Sequence, residues 1–260
     1  TAVPSALLAM LPNLEFLVTT GPPAHNLVID VAAAQDRGVA VLGTRGVLEG
    51  AMEHTWALLL ACAKRITIAD RTVKAGGWQT TISTALKGSR LGLLGLGRQG
   101  TLMARVGLAF AMDVAAWSQN LTPERCAEFG VGHVSKDELF ETSDFVSVHL
   151  LLSDRTTKLV GAPELRSMKP TAFLINTSRG PIVDEVALVA ALQEQWIAGA
   201  GLDVFEEEPL PADHPLRSLE NAVLTPHTGY VTDDCYRLFF TEIVENITAY
   251  LKGDLASVTR

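Results

Sequence analysis

The chain has 260 residues, 48% hydrophobic and 19% charged, a balance that supports a sizeable core and excludes a disordered tail. Its formal net charge of -8 argues against nucleic acid or an anionic membrane as partner, since both need a basic face. No apolar run reaches the roughly 18 residues of a membrane span, and Cys62, Cys126 and Cys235 lie far apart with no CxxC pair. Neither a disulfide framework nor a metal site is expected, and a reducing, cytoplasmic setting is.

Pro4 to Met10 reads as part of a helix, and Leu14 to Thr19 as an apolar strand ended by the turn Thr20-Gly21-Pro22-Pro23. Val39 to Leu42 is a second strand, closed by Gly43. From Leu48 to about Lys74 one long helix is predicted, with Trp56, Leu59, Leu60 and Ala63 at three- and four-residue spacing and Gly76-Gly77 as its stop. An alternation of strands and helices follows. Its apolar runs are Leu91 to Leu94, Val114 to Trp117, Phe145 to Leu150, Ala172 to Ile175, Ala200 to Val204 and Val223-Leu224. Helical patterns such as Glu185 to Gln195 separate several of them. Continuous apolar strands between helices indicate a parallel sheet buried on both faces. A last helix is predicted from about Asp233 to Leu251. Fold class is therefore α/β, with a doubly wound domain over 47–229 and residues 1–46 and 230–260 as pieces of one split second domain.

Gly95-Leu96-Gly97-Arg98-Gln99-Gly100 stands between an apolar strand and a helix, the context a dinucleotide turn requires. Gly95 permits the tight turn, Gly97 lets a pyrophosphate approach the backbone, and Gly100 lets helix pack on strand. The helix N-terminus offers N–H groups and a positive dipole end to the phosphates. An acid that would bind the ribose hydroxyls is expected about 20 residues on. Here the second strand ends Ala116-Trp117-Ser118-Gln119-Asn120, without a carboxylate. Ser118 or Asn120 suits the 2′-hydroxyl of NAD or the 2′-phosphate of NADP, so the cofactor is NAD or NADP, with a lean toward NADP. Arg125 is the nearest following arginine.

Three polar residues follow later strands, at the edge where open α/β sheets bind ligands. They are Arg179, Glu208 and His227. A guanidinium can hold a substrate carboxylate and polarise its carbonyl. An imidazole can give the carbonyl oxygen a proton as hydride reaches carbon. A carboxylate on the other ring nitrogen fixes the tautomer and favours imidazolium. Each residue alone has a plainer reading: a strand turn at Arg179-Gly180, a solvated charge run at Glu206-Glu207-Glu208, a loop histidine at His227. Their joint placement at consecutive strand ends favours the catalytic one.

With Leu-Gly-Leu-Leu-Gly-Leu-Gly-Arg-Gln-Gly from Leu91, Ile-Asn-Thr-Ser-Arg-Gly from Ile175, Gly-Leu-Asp-Val-Phe from Gly201 and Leu-Thr-Pro-His-Thr-Gly from Leu224, the chain resembles the D-isomer-specific 2-hydroxyacid dehydrogenase family. The resemblance implies a Rossmann cofactor domain and a discontinuous, flavodoxin-like substrate domain. It implies interconversion of a small 2-oxo acid and the D-2-hydroxy acid, with Arg179, Glu208 and His227 as catalytic residues. Arg98, Gln99, Thr177, Ser178, Asp203 and Gly229 fall on the cofactor-lining positions, and Thr20 and Gly21 on the loop that offers backbone N–H groups to the substrate carboxylate. His54 and His149 read as structural, while His25, His133 and His214 have only loop contexts. The cleft mouth, around Pro22 to His25 and Thr44 to Glu49, would set the choice of oxo acid. A homodimer through the cofactor domain is implied as well. The family's substrate domain begins about fifty residues earlier, so an N-terminal truncation is expected, with strand-helix units missing from the split domain. The rival reading is a non-catalytic NAD(H)-sensing module of the corepressor type, which needs no proton donor.

Overall fold

The structure, a computed structural model, describes residues 2–23 and 29–254. Packing divides the chain into two units, residues 51–229 and residues 1–50 with 230–260, the first boundary falling inside a helix.

In the large unit the helical stretch predicted as one piece is two. Helix α3 (Leu48–Ala63) and helix α4 (Ile66–Lys74) are separated at Arg65, whose φ of 53 is left-handed. No glycine or proline marks the break in the sequence. Gly76 then ends α4 with φ 84, a conformation that suits a residue without Cβ.

From Arg90 the chain builds one seven-stranded parallel sheet. Its members are β3 (Arg90–Leu94), β4 (Asp113–Trp117), β5 (Gly132–His133), β6 (Phe145–Val148), β7 (Phe173–Asn176), β8 (Gly199–Leu202) and β9 (Ala222–Leu224), in spatial order β5-β4-β3-β6-β7-β8-β9. β5 is a two-residue strand that carries no apolar pattern, so His133 stands in a strand where a loop was expected. Helix α5 (Arg98–Ala109) links β3 to β4, and the short helices α6 (Pro123–Ala127), α7 (Lys136–Thr142) and α8 (Ala162–Ser167) fill later crossovers. Helix α9 (Glu185–Gln193) precedes β8.

β6, β7 and β8 are buried throughout, and β3 from Leu91 on, because each face packs on a core. One face holds Leu94, Val146, Val148, Leu174 and Leu202, and the other Leu91, Leu93, Phe145, Phe173 and Ile175. Full burial of each such side chain stabilises the fold by about 1.5–3 kcal/mol. Strand order reverses between β3 and β6, which opens a crevice beyond their carboxyl ends.

The small unit contains α1 (Ser5–Ala9), β1 (Phe16–Val18), α2 (Val31–Asp36), β2 (Ala40–Leu42) and α10 (Asp233–Leu251). β1 and β2 pair in parallel. Asp30 caps α2 by accepting from Ala33 N–H, and Thr232 caps α10 by accepting from Cys235 N–H. The apolar core here is Leu8, Ala34 and Val39 with partly buried neighbours. No helix among the described residues is long and apolar enough to cross a membrane.

Candidate active site

The glycine-rich turn joins β3 to α5 at the crevice. Gly95 has φ 104, and a Cβ there would lie 2.6 Å from the His149 carbonyl oxygen. Gly100 faces the Gly95 carbonyl so closely that a Cβ would meet it at 2.1 Å. At Gly97 a Cβ would meet nothing within 4 Å, so the missing side chain leaves open space above the turn. Gly97 is also the N-cap of α5, and no side chain caps that end. Arg98, Gln99 and Gly100 form the first turn, with no acidic residue among them. Uncapped N–H groups at the start of a three-turn helix, under open space, suit a pyrophosphate.

Gly95 N–H donates to the Trp117 carbonyl, which sets Ser118 beside the same turn. Arg125 points elsewhere: its Nη1 bonds Glu128 Oε2 at 2.5 Å and its guanidinium stacks 4.4 Å from the Phe129 ring centroid. The end of β4 thus offers neutral groups only, Ser118, Gln119 and Asn120.

After β7, Asn176 organises the loop. Its Oδ1 accepts from Ser178 N–H and its Nδ2 donates to the Arg179 carbonyl, both at 3.0 Å. Ser178 Oγ donates to the Leu150 carbonyl and Thr177 Oγ1 bonds Thr55 Oγ1 at 2.7 Å. Arg179 Nη1 donates to the Ser178 carbonyl. Gly180 then crosses the chain beyond β8 at van der Waals limit: a Cβ would sit 2.0 Å from the Phe205 carbonyl oxygen. That crossing brings the Arg179 loop against the loop bearing Glu208.

Glu208 uses both carboxylate oxygens. Oε1 accepts from Phe205 N–H at 3.0 Å, and Oε2 accepts from His227 Nδ1 at 2.5 Å. With Nδ1 carrying that proton, Nε2 is the ring nitrogen that can exchange one with a ligand. His227 has φ 55, a strained conformation that persists only where neighbours over-determine it. Asp203 supplies the determination. It is 1% exposed, and its oxygens accept from Thr225 Oγ1, Thr228 N–H and Gly229 N–H, pinning both sides of His227. Since Thr225 Oγ1 donates to Asp203, it accepts from His54 Nε2 at 2.8 Å, which makes His54 a support for this carboxylate.

His149, at the end of β6, sits under the glycine turn with Nε2 2.8 Å from Ser147 Oγ. Burial pushes its imidazole down to about 4, so it stays neutral. His214 bridges Glu185 at 3.0 Å away from these loops, and His133 Nε2 approaches the Leu121 carbonyl.

Thr20 and Gly21 belong to the small unit. There Gly21 N–H donates to Thr44 Oγ1 at 2.8 Å, and Thr44 N–H returns a bond to the Gly21 carbonyl. Of the cleft-mouth residues, Ala24 and His25 lie outside the described residues. The large unit therefore assembles the glycine turn, Ser118, Thr177 to Arg179, Asp203, Glu208, His227 and Gly229 along one sheet edge. Two contributors escape sequence reasoning: Gly180, which the Arg-Gly-Pro run presents as an ordinary turn, and His54, whose partner Asp203 is distant in sequence.

Residues 56–229 match the family model described as D-isomer specific 2-hydroxyacid dehydrogenase, NAD binding domain. A glyoxylate reductase of Aeropyrum pernix is 41% identical over 257 residues, covering 95% of this chain and 76% of that one. A phosphoglycerate oxidoreductase from Vibrio cholerae superposes with a TM-score of 0.92 at 34% identity, over 97% of this chain and 82% of its own. A D-lactate dehydrogenase from Aquifex aeolicus, solved with NAD and lactic acid, superposes with a TM-score of 0.83 at 30% identity, over 98% of this chain and 81% of its own. The chain belongs to the D-isomer-specific 2-hydroxyacid dehydrogenase family, NAD(P)-dependent oxidoreductases that interconvert 2-oxo acids and D-2-hydroxy acids.

Proposed function

We propose that this protein reduces small 2-oxo acids of the glyoxylate and hydroxypyruvate type, with Arg179, Glu208 and His227 as its catalytic set. The observation that carries the reading is the Glu208–His227 hydrogen bond, held beside the Arg179 loop by the close crossing at Gly180. When bound, the nicotinamide cofactor supplies hydride to the carbonyl carbon. Arg179 takes the substrate carboxylate in its N–H fork and polarises the carbonyl, an arrangement that fixes the reacting carbon. His227 delivers a proton from Nε2 to the carbonyl oxygen and recovers it in the reverse direction. Glu208 holds Nδ1–H and stabilises the imidazolium that donates, so it positions His227 rather than touching substrate. Asp203 fixes the loop bearing Thr228 and Gly229, which we assign to the nicotinamide end. Thr20 and Gly21 we assign to the substrate carboxylate.

Arg98, Gln99 and the glycines are assigned to the pyrophosphate, with Thr177 and Ser178 along the cofactor. Ser118 meets the adenosine ribose. A neutral strand end neither repels a 2′-phosphate nor attracts it, so both cofactors are accepted without strong selection. We further assign the protein to the cytoplasm, where buried free Cys62, Cys126 and Cys235 accord with a reducing medium. A homodimer through the large unit accords with Trp78 and Ile82, 75% and 95% exposed on the irregular segment between α4 and β3.

Consumption of NADH and NADPH with glyoxylate, hydroxypyruvate and pyruvate tests the reading. His227→Ala should lower kcat by about 10²–10⁴ while cofactor affinity stays within a few-fold. Cofactor binding without turnover on any of the three acids would turn the reading toward a sensing module.

A further inference from the structure

The opposite edge of the same sheet, at the amino ends of the strands, holds an open cavity of 760 Å³. That is within the range of small-molecule sites. Phe173 opens β7 and forms its floor, with Ala198 and Asn221 just ahead of β8 and β9. Leu192 and Leu219 give it an apolar wall. Arg65 closes the remaining side, its guanidinium carbon 5.4 Å from the Phe173 ring centroid.

Arg65 is half-buried, yet among the described residues its guanidinium has neither a carboxylate nor a side-chain hydrogen bond. The carboxylate on the cavity wall, Glu220, is bonded to Arg71 at 2.9 Å. Gln193 and Gln195 at the rim also make no side-chain hydrogen bond among the described residues. Arg65 and Gln195 both hold left-handed backbone, φ 53 and 57, which strains a residue with a Cβ. Glycine would satisfy the α3–α4 break alone. Arginine satisfies it and also carries an uncompensated cation over an aromatic ring.

We propose that this cavity is a second ligand site, which takes a small organic monocarboxylate with a flat apolar body. The guanidinium fork matches one carboxylate through paired N–H donors. Phe173, Leu192 and Leu219 receive the apolar body, which sets such an acid apart from an inorganic anion. One cation answers one negative charge, and the rim amides supply further donors. The site is separate from the catalytic loops, since a four-residue strand places about 13 Å between the two edges.

Benzoate titrated into the isotopically labelled full chain, with benzamide as neutral isostere, tests this by amide NMR. Saturable shifts at Ala198 and Asn221 are expected with benzoate, and benzamide should bind at least about tenfold more weakly. Arg65→Gln should weaken benzoate by a similar factor, about tenfold, at these amides. Leu219→Trp, which fills the cavity without touching the cation, should do the same. Arg179→Gln should leave these shifts in place, which separates this site from the carboxylate-binding arginine of the proposed reaction. Shifts confined to the Arg179 loop would overturn the proposal. So would equal affinity for benzoate and benzamide, or unchanged affinity in both cavity variants.

Discussion

The two units secure their functional turns by different physical means. In the large unit, apolar cores on both faces of the sheet hold the strands, and the loops beyond the carboxyl ends carry polar chemistry. The buried carboxylate there, Asp203, fixes a loop and leaves strand packing to the apolar side chains. In the small unit a much smaller set does the equivalent work: the cluster Leu8, Ala34 and Val39, with Leu42, Cys235 and Phe239 also buried. Polar side chains on α10 supplement them. Glu242, only 3% exposed, accepts from Arg45 N–H and Arg45 Nε, and Asn246 Nδ2 donates to the Gly43 carbonyl. These residues one helical turn apart clamp the segment whose Thr44 holds the Thr20–Gly21 turn. Where the apolar core is thin, hydrogen bonds take over a structural task; where it is thick, they are available for chemistry.

Truncation in the large unit is the strongest way to break that comparison. Leu174 is fully buried in β7, and Leu174→Ala should cost about 2–5 kcal/mol through lost transfer energy and a residual cavity. The expected readout is a lower midpoint for the main unfolding transition, together with reduced cofactor affinity near that temperature. A loss well under this range would show that the sheet is not the unit's principal support. Glu242→Gln addresses the other side. Its partner Arg45 has a side chain 74% exposed, so the freed guanidinium is hydrated and the cost is held to about 1–2 kcal/mol. Hydrogen exchange should rise around Gly43 to Arg45 while protection on β3, β6 and β7 is unchanged. Equal loosening in both units would end the contrast.

The same contrast explains what the sequence disclosed. Apolar runs such as Leu91–Leu94 and Phe145–Val148 are legible because burial on both faces demands continuous hydrophobic residues. The α3–α4 break is not, since Arg65 carries no breaker signal and its left-handed backbone depends on tertiary surroundings. β5 is too short to show a period. In the candidate site, the residue types at the strand ends can be read, and their strand-end position follows from the sheet. Their mutual bonding cannot, because Glu208, His227 and the Gly180 crossing meet only when three separate loops converge. A glycine required by the carbonyl of a residue distant in sequence looks the same in sequence as one required by a turn.

The smallest effect expected concerns His149, which lies beneath the glycine turn and whose imidazole is held below its ordinary value by burial. Its folded value of about 4 lies below the ordinary 6.5 of an exposed imidazole, so the fold favours the neutral ring. The contribution is fully present above pH 6.5, where folded and unfolded chains both carry it neutral. As pH falls below 6.5 the unfolded chain binds a proton first, and stability declines until about pH 4, below which this group adds no further loss. Because the ring is partly reached by solvent, the total is set at about 1 kcal/mol, below what its shift alone would imply. Carboxylates titrate in the same window, so the informative quantity is the difference between the parent chain and His149→Asn. Thermal midpoints between pH 7 and pH 4 should fall less steeply in the variant. Parallel slopes would mean that the ring is hydrated in the folded chain, and that the turn rests on the Gly95 and Gly100 backbone contacts without help from a dry layer beneath.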